Sequence, residues 1–383
     1  MIISVVPRTA SFVALTLALG GCSAAPMTAS NSQNASNANV PVTESMGTAT
    51  MPPATTVEMP EVVTRTLDGT INALPVRVRL SKDKNQLQGE YVYETGRAAM
   101  RTVVAMLSLE GTIDPDGSVH LVELASNADG KDTKTGAFEG KLTNTSLGLR
   151  FVGSWSKPDG SSTMPVVLSE LTSTPGGMKF VSSRMPSTDK RLAPVVKVAY
   201  PKAEGGDPLR AAAFTNAIEG LVRERVREFT EVAVENLGEH VTVDTLALEV
   251  DYEIATATDE LVSVVFTEYS SFGGAHPSSD VYARTFEFAR GRFLTLTDVT
   301  GDTRSLLALL SQKSRAIMPK DEVFQTDLEP TAENFSRWYV TRRGMTFVFS
   351  IPHVAGDTMQ AYLPFADIKD ALNPDGPLGP LIR

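Results

Sequence analysis

The residues able to do chemistry are few and scattered. Four histidines (His120, His240, His276 and His353) and one cysteine, Cys22, stand in a chain of 383 residues. No two of the histidines have the i, i+4 or near-neighbour spacing that metal sites use, and no further cysteine can join them, so no metal and no cofactor is expected. Ser81-Lys82-Asp83-Lys84, Ser154-Trp155-Ser156-Lys157 and Ser187-Thr188-Asp189-Lys190 each fit Ser-x-x-Lys. They fall in turns and linkers without the companion motifs a serine nucleophile needs. There is no Gly-x-Ser-x-Gly, phosphate-binding loop or dinucleotide fingerprint. Glu268 and Asp280 could work as a carboxylate pair only at a set separation in space, which spacing along the chain does not give. On these residues the chain is expected not to be an enzyme.

Cys22 has a more definite reading. Met1 to Leu19 carries one cation, Arg8, and an apolar run from Ala10 to Leu19, too short for a permanent span and suited to a signal-peptide core. Leu19-Gly20-Gly21-Cys22 resembles the bacterial lipobox, in which the thiol receives diacylglycerol and the cysteine becomes the mature N-terminus. That implies palmitate-type acyl chains on Cys22, each anchoring by about 0.8 kcal/mol per buried CH₂. Ser23 is not aspartate, so in a host with two membranes the resemblance implies the outer one, facing the periplasm.

The elements that would position any site fall into two parts after residues 1–21 (signal) and 22–60 (tether). The tether is Ala, Ser, Asn, Thr, Pro and Met with almost no charge, and cannot bury enough apolar surface to offset chain entropy. Its coil reach is on the order of 35 Å. A hydrophobic content of 42% in the whole chain suffices for two ordinary cores beyond it. Residues 61–189 carry 14 basic and 15 acidic side chains and residues 190–383 carry 20 and 28, so the acid excess sits on the second part. This disfavours nucleic acid and would steer a cationic partner.

Residues 61–172 read as an all-β meander, a small barrel or sandwich. Eight short alternating runs, from Val62–Ile71 to Met164–Leu171, lie between turn signals such as Asp114-Pro115-Asp116-Gly117 and Pro158-Asp159-Gly160. A cadence of apolar-x-Gly-x-apolar recurs in Leu109–Ile113, Phe138–Leu142 and Phe151–Trp155, where strand glycines mark bends of a small sheet. Tyr91, Tyr93 and Trp155 alternate with polar residues and read as core rings, with no titratable cluster converging on them. Residues 173–190, rich in Ser, Thr, Pro and Gly, read as a linker, 191–373 as an α+β domain and 374–383 as a loose tail.

In the second part Asp207 and Pro208 predict a helix start, and Phe214, Ile218, Leu221, Val222, Phe229 and Val232 fall on one face. Leu246–Ala257 alternates as a strand, and Ser305–Met318 reads as a second helix with Leu306, Leu309, Leu310 and Ile317 inward. Strands at Met345–Ile351 and Met359–Leu363 precede a last helix, Phe365–Leu372. Helices packed on an antiparallel sheet are the expected arrangement.

The block Leu261–Val299 organises this part. Two strands flank Phe272-Gly273-Gly274-Ala275-His276-Pro277, where the glycines permit positive φ and the proline bars its predecessor from the α region. The order of aromatic strand, Gly273-Gly274-Ala275-His276-Pro277, Tyr282/Phe286/Phe288, Arg290-Gly291-Arg292 and Leu294-Thr295-Leu296-Thr297-Asp298-Val299 resembles the extracytoplasmic domain of unknown function of RsiV-type anti-sigma factors, which bind lysozyme. The likeness extends through Met345–Pro352 and Ala361–Ile368 and covers residues 190–383. It implies a protein partner, lysozyme or another cationic protein, and with the lipobox it gives the expectation of a binding lipoprotein of the cell envelope; His276, read from its own loop, is expected to hydrogen-bond that loop. The alternatives are an enzyme acting on peptidoglycan and a passive scaffold of an envelope complex.

Overall fold

The computed structural model describes residues 65–93, 107–126, 131–145, 148–238, 240–274, 276–318, 323–351 and 357–383. Cys22, Ala275 and His353 lie outside them, as do the signal and tether segments. Eight strands form an antiparallel meander: β1 (Arg65–Ile71), β2 (Leu74–Asp83), β3 (Gln86–Tyr93), β4 (Leu107–Ile113), β5 (Ser118–Ser126), β6 (Asp132–Thr145), β7 (Gly148–Ser156) and β8 (Thr163–Glu170). Pairing of β1 with β8, Leu67 opposite Glu170 to Ile71 opposite Val166, closes it into a barrel. Alternation sends Leu67, Val76, Val78, Leu80, Leu109, Leu121, Phe138 and Phe151 inward, and they fill the interior.

The glycine cadence has a steric cause. Gly111, Gly140 and Gly153 occupy inward-facing strand positions, and a Cβ on Gly111 would sit 1.8 Å from the His120 carbonyl oxygen. Gly140 and Gly153 are register partners, and the Phe151 ring lies over both. Strands crossing this closely let a short sheet curl fully round.

The second part is layered. A six-stranded sheet runs in the order β14 (Arg292–Phe293), β13 (Ser278–Glu287), β12 (Leu261–Phe272), β11 (Leu246–Ala257), β10 (Val196–Glu204), β9 (Lys179–Met185). Residues 173–190, expected as a linker, thus contain the edge strand β9, which pairs with β10 from Val198–Met185 to Glu204–Lys179. Strands β10 and β11 are parallel. A parallel pair needs a crossover, and α1 (Pro208–Asn236) supplies it. The Asp207 carboxylate accepts from the Leu209 and Arg210 amides at 2.8 and 3.2 Å, capping the helix where the sequence places its start. Phe214, Ile218, Val222, Val226 and Phe229 bury against the sheet. Val232, expected on that face, is 44% exposed, because the stripe drifts away from it at the end of the helix.

The opposite face of this sheet meets a three-stranded sheet, β15 (Trp338–Val340), β16 (Gly344–Ser350) and β17 (Thr358–Pro364). Ala255, Val265, Ala283, Tyr339 and Val348 pack between the two. The Val340 amide donates to Ser263 Oγ at 3.1 Å, and Thr256 Oγ1 donates to the Val340 carbonyl at 2.8 Å. Helices α2 (Thr303–Ile317) and α3 (Phe365–Ile368) cover the smaller sheet. The expected loose tail is instead tied down: Leu378 is fully buried in the same core, and a short helix, α4 (Gly379–Ile382), follows it.

Candidate functional site

Barrel, six-stranded sheet and three-stranded sheet meet at a crevice with a cavity of about 280 Å³. Inward packing of Val76, Val78 and Leu80 turns Arg77 and Arg79 outward, towards Glu253 on β11, Thr267 on β12, Tyr339 on β15 and Gln360 on β17. The Arg77 guanidinium donates to both Asp68 oxygens at 2.7 and 3.0 Å and to the Ala255 carbonyl at 2.6 Å, clamping barrel to sheet. Arg79 donates to Glu90 at 3.3 Å and to Thr267 Oγ1 at 3.4 Å. Its Nε lies 3.1 Å from Glu253 Oε2 but is not aligned for a hydrogen bond, which leaves a buried N–H without an acceptor among the described residues. Thr66 Oγ1 completes the set by donating to Glu253 Oε2 at 2.6 Å.

Charge states in the crevice are fixed by these contacts. Burial opposes ionisation of Glu253, but the guanidinium groups of Arg79 and Arg77 and the Thr66 hydroxyl outweigh it and hold the carboxyl below its usual range. The Tyr339 phenol is pushed up to about 12, by burial first, so at neutral pH it remains a donor, given to Gln360 Oε1 at 2.8 Å. The cavity therefore combines two arginines, two carboxylates (Glu90 and Glu253) and the rings of Tyr93 and Tyr339, a largely apolar surface with a few fixed polar groups. Because the folded carboxyl is held low, Glu253 stabilises the fold above the unfolded carboxylate value of about 4.3, and this contribution is lost as pH falls through the lower folded value. Acid titration followed by Trp fluorescence should show Glu253→Gln flattening the loss of stability in that low-pH window.

A second cluster lies at one end of the barrel, and here the sequence reading needs correction. Tyr91, Tyr93 and Trp155 do meet, but a titratable group converges on them. Glu123, 3% exposed, accepts from Tyr91 Oη at 2.5 Å, Trp155 Nε1 at 2.6 Å and Thr135 Oγ1 at 2.6 Å. The signal was there: Val119, Leu121 and Glu123 alternate, so the carboxylate falls on the apolar, inward face. Gly136 leaves room for the indole, since a Cβ there would stand 2.3 Å from Trp155 Nε1. Burial and then Glu123 raise the Tyr91 hydroxyl far above its ordinary range.

The other sequence candidates do not gather. Gly273 takes φ +80°, and a Cβ would lie 2.6 Å from Val241 Cγ1, so this glycine seats the β12–β13 loop on its neighbour. Gly274, His276 and Pro277 are exposed on that loop. His240 is exposed, and His120 pairs on the barrel surface with Glu139 and, at 3.8 Å, Asp114. Among the described residues no three His, Cys, Asp or Glu side chains stand together as a metal site. Glu268 and Asp280 are register partners, yet each is held in an ion pair, to Arg225 and Arg337 respectively. Ser81 Oγ is spent on the Gln88 carbonyl.

Residues 188–279 match the family described as Deacetylase PdaC. A curated relative, the peptidoglycan-N-acetylmuramic acid deacetylase PdaC of Bacillus subtilis, is 27% identical over 147 residues, covering 37% of this chain and 31% of the relative. The chain thus spans less than a third of the length of the curated relative it matches. A solved DUF3298-family structure from Bacteroides fragilis aligns with a TM-score of 0.41 and 15% identity over 55% of this chain and 99% of that one. Another, from Pseudomonas aeruginosa, aligns with a TM-score of 0.33 and 12% identity over 52% and 95%. Within the stretch that resembles an RsiV-type domain, residues 188–279 are therefore similar to the PdaC family, and the RsiV-type relationship itself is not what the match names. The expectation that the chain is not an enzyme is corrected by the same finding, because the curated relative is named as one. Of the crevice residues, Glu253, Val265 and Thr267 fall inside the matched segment.

Proposed function

We propose that the chain acts on peptidoglycan in the cell envelope, and that the three-way crevice holds an N-acetylated amino-sugar residue of the glycan. The observation that carries this is a cavity about the size of one sugar residue, largely apolar in its walls but edged by the fixed polar groups of Arg79, Glu253, Tyr339 and Gln360. The Tyr93 and Tyr339 rings offer apolar surface for a pyranose face, and the few polar groups beside them suit its acetamido and hydroxyl groups. The relative named as a peptidoglycan-N-acetylmuramic acid deacetylase supports the same substrate class.

The test is titration of the purified chain with N-acetylated muropeptides, with acetate release followed in parallel. Saturable binding is expected, and Tyr339→Leu, which removes the ring face but keeps apolar bulk, should weaken it by about tenfold. Acetate release that falls in step with binding would place the hydrolysis in this chain. Absence of binding by the folded wild-type chain would defeat the reading.

We propose in addition that Cys22, in its lipobox-like setting, is lipidated and anchors the protein to a membrane. Cys22→Ala is expected to abolish incorporation of labelled palmitate and to move the protein into the soluble envelope fraction. Undiminished labelling in that variant would rule out Cys22 as the acceptor.

A further inference from the structure

Glu123 is a buried carboxylate with no cationic partner among the described residues, while the other carboxylates buried to a similar depth have one. Glu268, 1% exposed, has Arg225, and Glu253 has Arg79. A buried charge without a counter-charge is costly, and the groups around Glu123 are neutral: two phenols, an indole and a hydroxyl. Three of about four acceptor positions of the carboxylate are filled, two on Oε2 and one on Oε1. One position on Oε1 is left.

The rings frame the carboxylate. Tyr91 and Tyr93 stand edge to face at 5.4 Å, and the Tyr91 hydroxyl and Trp155 Nε1 reach Glu123 from their ring edges. An ammonium group at the remaining Oε1 position would supply the missing counter-charge and donate a hydrogen bond to it. The depth is small. Tyr93, Leu107 and Met164 are the partly exposed residues of the barrel core, and Tyr91 and Tyr93 also line the crevice, so Glu123 lies one side chain away from that cavity.

The geometry points to a binding site for a primary ammonium group at this end of the barrel, with Glu123 as its counter-ion and Tyr91, Tyr93 and Trp155 as its walls. The site is distinct from the acetamido site proposed in the crevice and does not depend on it: one recognises a neutral amide, the other a free amine. In peptidoglycan a free amine can come from a deacetylated amino sugar or from an amino-acid side chain of the stem peptide, and both present the same –NH₃⁺.

The experiment is calorimetric titration of the full chain with glucosamine, N-acetylglucosamine and Nα-acetyl-lysine amide, repeated on Glu123→Gln. Trp155 emission gives a second reading in a Trp338→Phe background, where it is the sole indole, the chain having two. At least one of the two amines is expected to bind saturably and to perturb Trp155, with Glu123→Gln weakening that amine about tenfold or more. Preference for glucosamine identifies the sugar as the source, and preference for the lysine derivative identifies the peptide. N-acetylglucosamine should leave Trp155 unmoved, although it can give heat from the crevice. The inference is overturned if neither amine binds the folded wild-type chain, or if Glu123→Gln binds amine as tightly as wild type. It also fails if the acetylated sugar perturbs Trp155 as the amines do. Should Trp338→Phe not fold, calorimetry on the unmodified chain and on Glu123→Gln decides alone.

Discussion

Arg77→Met is expected to cost about 3–5 kcal/mol and to split one denaturation profile into two, because it breaks a buried ion pair by removing one member. Arg77 is 6% exposed, and the side chain of its partner Asp68 is 14% exposed, so little solvent is at hand to soften the loss. The same side chain holds the Ala255 carbonyl on β11, so one substitution both strands a carboxylate and unpins the barrel from the sheet. The two tryptophans separate these effects. Trp155 belongs to the barrel core and Trp338 to the core beneath the three-stranded sheet, so each reports one part of the molecule. In the wild type the two emission changes should coincide along a urea gradient. In Arg77→Met the Trp155 change should come first. Coincident transitions at an unchanged midpoint would show that the clamp contributes nothing to coupling.

The second large effect concerns Arg225 on α1. Its guanidinium donates to Glu268 at 2.6 Å through Nε and again through Nη2, and Glu268 is 1% exposed on β12. Arg225→Met strands that carboxylate under the helix. The expected cost is about 3 kcal/mol, at the low end for a buried pair because the arginine itself reaches solvent. The informative variant is the double one. Arg225→Met with Glu268→Met removes both charges together and replaces them with apolar side chains, so it should recover most of the loss or exceed the wild type. Denaturation midpoints of the four members of the cycle give the coupling. If the double variant is as unstable as the sum of the singles, the pair is not the source of the cost.

Much of this architecture can be read from residue order, and the failures have identifiable causes. The barrel strands were legible because alternation, turn residues and glycine spacing agree with one another over the whole of residues 61–172. Helix α1 was legible from Asp207, Pro208 and the apolar stripe. Strand β9 was not, because Lys179–Met185 is a polar edge strand whose identity depends on β10 beside it. Leu378 was hidden among Gly and Pro, and its burial is decided by the core it enters. The crevice was beyond sequence altogether: Arg79 and Glu253 are 174 positions apart, and nothing local records that β2 and β11 will face each other. Glu123 is the intermediate case, visible as an acid in an apolar alternation but not as the centre of three rings.

The strand that seals the cylinder is also the strand that fastens it. Each neighbour in the meander is a local hairpin except the seam, where β1 must find β8 across most of the barrel's length of chain. That same β1 carries Thr66, bonded to Glu253, and Asp68, bonded to Arg77, so its outer edge is the part pressed against β11. Non-local pairing of this kind carries the largest loop-closure cost in the meander. A lesion in that one strand would therefore be felt twice, in the seal of the cylinder and in its mooring to the neighbouring sheet.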